Sequence, residues 1–188
     1  MNWFARPSPA VSRSKRIWMM RRGALTKGLR SLGRVELKII KQNIGVIRAE
    51  EARLLKLPRR SLVWTRQISM SIDGEQCVVA RSVARLRDTH SIWRGVRGLN
   101  TRPLADILYH DTSIDRSNFD VSRVRRPEPL NSIAKTALQS KCPTALYARR
   151  SIFWRMGKPL LVSECFLPAF WRLLEHHNSQ SPGNTERF

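Results

Sequence analysis

The chain has few cysteines and no long apolar run. Cys77, Cys142 and Cys165 are odd in number and lie far apart, without a C-x-x-C or Cys/His spacing, which predicts a reducing compartment and no zinc site. No window approaches the roughly 18 apolar residues of a membrane span, and the basic N terminus lacks the apolar core of a secretory signal. These absences predict a soluble cytoplasmic protein.

Acidic residues are scarce, since 14 Asp and Glu stand against 35 Lys and Arg and give a formal net charge of +21. Such a charge attracts polyanions and small anions alike. The basic residues are scattered in short pairs, without a run of five or six or a periodic stripe. A solvated, arginine-rich surface is the simplest interpretation. A nucleic-acid-binding protein is an alternative, weakly favoured by the pairs Trp93-Arg94 and Trp154-Arg155.

Several catalytic signatures are also missing. The sequence has no G-x-S-x-G, no H-E-x-x-H, no P-loop and no dinucleotide fingerprint, and His176-His177 lie in a polar segment. With 188 residues, 41% of them hydrophobic, the chain is long enough for one domain with its own core. We expect a loose basic leader at 1–14, a single domain at 15–170 and a polar tail at 171–188.

Alternating apolar and polar residues predict an antiparallel sheet. Val35, Leu37 and Ile39 alternate with charged residues, which indicates a half-buried strand. Two hairpins follow, one with strands at 61–72 and 76–85 around Asp73-Gly74, and one with strands at 145–156 and 160–167 around the turn Gly157-Lys158-Pro159.

Helical patterns separate these strands, at 12–22, 50–57 and 101–109. Hairpins with helices inserted between them indicate an α+β fold, in which helices cover an antiparallel sheet mainly on one side. A parallel doubly wound sheet fits this order poorly.

Two charged residues share a strand face with apolar neighbours. Arg66 lies on the face of Trp64, Ile68, Met70 and Ile72, and Glu164 lies on the face of Leu160, Val162 and Phe166. A buried, unpaired guanidinium costs several kcal/mol, so Arg66 requires a carboxylate, a set of carbonyls or a ligand anion. The two residues either pair with each other, lie at a wet sheet edge, or form a polar pocket. Such a pocket suits a ligand with a carboxylate and a hydroxyl.

Three segments of the chain resemble the chorismate pyruvate-lyase family: VWTRQISMSIDGEQ, TRPLADILYHD and ARRSIFWRMGKPLLVSECFLPAF. The closing GKPLLVSECFLPA is the most specific of them, and the resemblance spans about residues 20 to 170. It implies a cofactor-free lyase that releases pyruvate from chorismate and leaves 4-hydroxybenzoate for ubiquinone synthesis. Effector-sensing domains of some transcription regulators are similar to this fold, which leaves a non-catalytic sensor of small carboxylates as a further alternative.

The resemblance also implies site residues. The arginine that grips the ring carboxylate falls on Arg66, and the glutamate that bonds the 4-hydroxyl falls on Glu164. A backbone amide that contacts the carboxylate falls on Leu104, and a further backbone contact falls near Leu25. For the enolpyruvyl carboxylate we expect a second basic residue, Arg149 or Arg150. The expected partner is chorismate, bound by a monomer without cofactor or metal.

Overall fold

The computed structural model describes residues 2–125, 127–139, 143 and 145–180. Within these residues the chain forms seven strands: β1 (Val35–Val46), β2 (Leu62–Ile72), β3 (Glu75–Arg85), β4 (Ile114–Arg116), β5 (Asp120–Arg125), β6 (Ala145–Arg155) and β7 (Lys158–Phe166). The same residues contain six α-helices: α1 (Arg13–Met20), α2 (Leu25–Arg30), α3 (Ala49–Leu54), α4 (Ala105–Leu108), α5 (Pro129–Leu138) and α6 (Pro168–Gln180). Cys142 and residues 181–188 lie outside the described part.

All strand pairs are antiparallel, in the order β1-β2-β3-β7-β6-β4, and β5 pairs with the other half of β6. The β2–β3 hairpin turns at Asp73-Gly74 as predicted, with positive φ at both residues (48° and 87°), which matches the twist of the flanking strands. The β6–β7 hairpin turns one residue earlier than predicted. Its turn is Met156-Gly157, again with positive φ at both residues (48° and 70°), and Lys158 already pairs with Arg155.

The sheet carries apolar residues on both faces. On one face, Ile68, Met70 and Phe166 pack against α1, α2 and α6, and Trp64 and Phe153 pack near α4. On the other face, α3 covers one end of the sheet and α5 the other. The predicted α+β fold with an antiparallel sheet is confirmed, and the two helices on the second face explain why its strands are buried as well.

Both ends of the described chain are more ordered than the predicted leader and tail. Phe4 pairs with Val121 of β5. At the other end, α6 continues beyond residue 170, because Trp171 and Leu174 are buried in the same core cluster as Phe170. Phe170, Trp171 and Leu174 lie on one face of the helix because residues one and four positions apart share a helical face. The segment is therefore buried on that face although it is polar on average. Among the helices of the described residues, none has the length and hydropathy that a membrane crossing requires.

Replacing Gly33 with alanine is expected to lower the free energy of unfolding by about 1 to 3 kcal/mol. Gly33 has a φ of +155°, and an added Cβ would overlap the carboxylate of Asp73 and lie 2.8 Å from Cγ2 of Ile72. Asp73 accepts a hydrogen bond from the amide of Arg34 at 2.9 Å, so the clash also disturbs the start of β1.

Urea unfolding measures this change, with Gly98→Ala as the control, because a Cβ at Gly98 meets no atom within 4 Å. We expect the control to stay within about 0.5 kcal/mol of the wild type. Equal midpoints for the two variants would show that the turn beside Asp73 accommodates a side chain.

Candidate functional site

One cavity, between the sheet and the segments that contain α2 and α4, brings together all four predicted site residues. Arg66, Glu164, Leu25 and Leu104 line it, with Arg149 beside them. The rest of the lining is largely apolar and includes Leu37, Ile68, Met70, Leu108, Phe119 and Phe153. The free space is about 50 Å³, far below the roughly 300 to 1,000 Å³ of typical small-molecule pockets.

Arg66 is 1% exposed and projects from the middle of β2. Its Nη2 donates to the carbonyl oxygens of Asn100 at 2.7 Å and Arg102 at 3.0 Å, so carbonyls supply part of the partners that the sequence required. Its Nε is buried and has no hydrogen-bond partner among the described residues. Burial lowers the pKa of the guanidinium, which nonetheless stays protonated at neutral pH. The arginine is thus a buried cation with a donor still to be satisfied.

Glu164 lies on β7 with its side chain 16% exposed, and it pairs with Arg149 rather than with Arg66. Arg149 is directly opposite Glu164 in the β6–β7 register, and its Nε donates to Glu164 Oε2 at 2.6 Å. The sequence alternative in which Arg66 and Glu164 neutralise each other is therefore wrong. Both charged residues are visible from the alternation of their strands, but Arg149 as the partner of Glu164 depends on the register between β6 and β7.

The two arginines predicted as candidates for the enolpyruvyl carboxylate lie on opposite faces of β6. Arg149 lines the cavity. Arg150 instead pairs with Glu50 at 2.8 Å and Asp120 at 3.2 Å, and its guanidinium lies 4.2 Å from the centre of the Trp3 ring. The structure therefore leaves Arg149 as the candidate within the cavity.

Leu25 and Leu104 both lie where a short helix begins, Leu25 as the first residue of α2 and Leu104 immediately before α4. Backbone amides of a first helical turn have no partner within the helix, which makes such positions suited to bind an acceptor. Tyr109 ties the two covering segments together, because its hydroxyl donates to the carbonyl oxygen of Gly23 at 2.8 Å. Burial raises the pKa of this phenol, which favours the protonated donor.

Other residues that the sequence singled out do not contribute to this cavity. Trp93 is 1% exposed and its indole donates to the carbonyl of Lys158 at 3.1 Å, so it offers no face for stacking bases. Cys77 and Cys165 are buried and form no disulfide among the described residues, and burial raises the pKa of Cys77 to about 11. His176 and His177 are exposed on α6. Among the side chains that the structure describes, no group of three or more His, Cys, Asp or Glu is placed to hold a metal ion.

Comparison with known proteins gives consistent similarities. The family model described as chorismate lyase matches residues 4–175. A probable chorismate pyruvate-lyase of Bordetella avium is 45% identical over 170 residues, which cover 90% of this chain and 85% of that protein. Another from Pseudomonas fluorescens is 37% identical over 175 residues, 93% of each chain.

Solved structures with a similar fold belong to regulators. The effector domain of PhnF from Mycobacterium smegmatis has a TM-score of 0.55 at 10% identity, over 78% of this chain and 90% of that domain. The ligand-binding domain of a GntR-family regulator from Bordetella bronchiseptica has a TM-score of 0.52 at 19% identity, over 72% and 84%. At these identities the similarity shows the fold alone.

Proposed function

This chain belongs to the chorismate lyase family, and we propose that it eliminates pyruvate from chorismate and leaves 4-hydroxybenzoate. The observation that carries the proposal is the buried Nε of Arg66, which has no partner among the described residues and belongs to a side chain lining the cavity. Leaving such a donor unsatisfied costs about 1 to 3 kcal/mol or more. A ligand carboxylate satisfies it, and Glu164 in the same cavity is an acceptor for a ligand hydroxyl.

In the proposed reaction the protein has two tasks, to position the substrate and to stabilise charge. Chorismate carries a ring carboxylate, a C4 hydroxyl and an enolpyruvyl ether at C3. The C3–O bond breaks and the C4 hydrogen leaves the ring, which becomes aromatic; in the net reaction that hydrogen completes the methyl group of pyruvate. Aromaticity supplies the driving force. The protein then has to hold the substrate in a reactive geometry and stabilise charge on the departing group.

Each of the predicted site residues has a separate contact with the substrate in this proposal. Arg66 holds the ring carboxylate, and the amide of Leu104 supports it at the start of α4. Glu164 accepts the hydrogen bond of the 4-hydroxyl at the other end of the ring, and Leu25 supplies a further backbone contact from α2. The apolar lining excludes water, which strengthens both charged contacts. Arg149 lines the same cavity and pairs with Glu164, so its positive charge acts there beside that carboxylate.

We further propose a cofactor-free monomer that acts in the cytoplasm and supplies 4-hydroxybenzoate for ubiquinone synthesis. Cys77 and Cys165 form no disulfide among the described residues, which is typical of a reducing compartment. The net charge of +21 opposes self-association through like-charge repulsion.

The purified protein is expected to convert chorismate to pyruvate and 4-hydroxybenzoate in equal amounts. Pyruvate is measured by coupling to lactate dehydrogenase and 4-hydroxybenzoate by chromatography, with heat-denatured protein as the control. Addition of a chelator is expected to leave the rate unchanged. Binding of chorismate without either product would contradict the lyase assignment and favour the sensor alternative, whose fold this chain shares.

A further inference from the structure

Arg149 is one of the largest fully buried side chains of the structure, with 1% of its surface exposed, and it contacts three separate parts of the site. We propose that Arg149 is a positioning residue that couples the carboxylate of Glu164 to residues 18–25. These residues connect α1 to α2 beside the cavity and are called the covering segment. The inference rests on the proposed function for its kinetic test, and on the contacts of Arg149 for its structural one.

The first contact is with Glu164. Arg149 Nε donates to Glu164 Oε2 at 2.6 Å across the β6–β7 pair, where the two residues are directly opposite each other. A short bond between full charges fixes the direction of the carboxylate. Glu164 is thereby held ready to accept a hydrogen bond through its other oxygen.

The second contact is with the covering segment. Arg149 Nη1 donates to the carbonyl oxygens of Trp18 at 3.2 Å and Arg21 at 2.8 Å. Trp18 lies in the last turn of α1 and Arg21 is its C-cap, where carbonyl groups accept hydrogen bonds from outside the helix. Two residues further on, Gly23 accepts the hydrogen bond of Tyr109. The turn between α1 and α2 is therefore held by Arg149 of β6 and by Tyr109, the residue that follows α4.

The third contact fixes the plane of the guanidinium. Its central carbon lies 4.3 Å from the centre of the Phe119 ring, and the guanidinium of Arg116 lies at the same distance from that ring. Phe119 is 5% exposed and lines the cavity. A planar, stacked group with donors in fixed directions reaches Glu164 and both carbonyls together. A lysine at this position keeps the charge but cannot make all of these bonds at once.

Movement of the covering segment therefore also displaces Arg149, the side chain that orients Glu164. When the segment closes over a ligand, Arg149 holds Glu164 in place, and when the segment opens, that support is lost. In this proposal the segment shifts when a ligand enters, because the cavity has little free space.

The kinetic test uses Arg149→Lys and Arg149→Met, with Arg150→Met as the matched control. Arg150 is the next residue on β6 and is also ion-paired, but it faces away from the cavity. We expect both Arg149 variants to lose about a hundredfold in kcat with a smaller change in KM, since a misplaced group costs about that much. The control keeps both kcat and KM near their wild-type values.

A double variant separates positioning from direct contact with the substrate. If Arg149 acts through Glu164, then Arg149→Lys costs less than about threefold in a Glu164→Gln background, because non-additive effects mark residues that act as a unit. A full hundredfold loss in that background would overturn the coupling and make Arg149 an independent substrate contact.

Hydrogen exchange of the peptide spanning residues 18–25, measured without substrate, tests the structural arm independently of turnover. We expect at least tenfold faster exchange in Arg149→Lys and Arg149→Met than in the wild type and in Arg150→Met. Unchanged exchange in a folded Arg149 variant would overturn the proposal. If Arg149→Met does not fold, Arg149→Lys carries the test. An inactive wild type whose variants show faster exchange would refute the proposed function and leave the structural coupling standing.

Discussion

Replacing Arg66 with methionine is expected to lower kcat/KM for chorismate by about a hundredfold to a few thousandfold. Breaking a buried charge pair by removing one partner costs about 3 to 5 kcal/mol, and each 1.4 kcal/mol corresponds to a factor of ten. In this case the partner left without its cation is the ring carboxylate of the substrate. Methionine is apolar and similar in length, so it fills much of the space beside Ile68 and Trp64 without replacing the charge. Steady-state release of 4-hydroxybenzoate measures the loss.

The control for this prediction is Arg81→Met on the neighbouring strand β3. Arg81 is 9% exposed and its Nε donates to Glu51 at 2.9 Å, on the sheet face opposite the cavity. Both substitutions remove a buried arginine and are expected to lower stability, but only Arg66→Met removes a cation from the cavity. Near-normal release of 4-hydroxybenzoate by a folded Arg66→Met protein would refute the site. An equal loss in both variants would assign the effect to the fold.

Much of the sheet was predictable from sequence, because its longest strands carry strong local signals. Alternating side chains and the Asp73-Gly74 pair give β2 and β3 nearly their observed bounds. In contrast, β4, β5 and α5 were not predicted. The two strands have three and six residues and several charges, so they depend on pairing with β6 rather than on their own pattern. Tertiary pairing decides such segments, and local periodicity does not show it.

In the candidate site too, some residues were predictable from local sequence and their partners were not. Arg66 and Glu164 were found because a charge among apolar neighbours on one strand face is visible in sequence. Their actual partners were not found, since the carbonyls of Asn100 and Arg102 belong to an irregular loop. The alternation of β6 also places Arg149 on the face of Phe153, and this is the signal that separates Arg149 from Arg150 once the strand is assigned.

Replacing Glu164 with glutamine is expected to lower kcat/KM by roughly tenfold to a hundredfold, a smaller loss than that of Arg66→Met. A hydrogen bond to a charged acceptor contributes about 1.5 to 3 kcal/mol, and the glutamine oxygen retains part of it. The loss depends on the 4-hydroxyl of the ligand. The dissociation constant of 4-hydroxybenzoate is therefore expected to rise by a similar factor, whereas that of benzoate, which lacks the hydroxyl, changes by less than about threefold. Isothermal titration with the two ligands measures the difference.

Two further variants show whether the effect of Glu164→Gln is specific to the hydroxyl of the ligand. Glu51→Gln removes the carboxylate that pairs with Arg81 on the other sheet face, so it repeats the loss of a buried ion pair without changing the cavity, and it should leave both ligands unaffected. Arg66→Met should weaken 4-hydroxybenzoate and benzoate alike, because both carry the carboxylate that Arg66 holds. The two ends of the ring are then read separately, the carboxylate by Arg66 and the hydroxyl by Glu164. If Glu164→Gln weakened benzoate as strongly as 4-hydroxybenzoate, Glu164 would not be the hydroxyl acceptor, and its role would be confined to holding Arg149 in place.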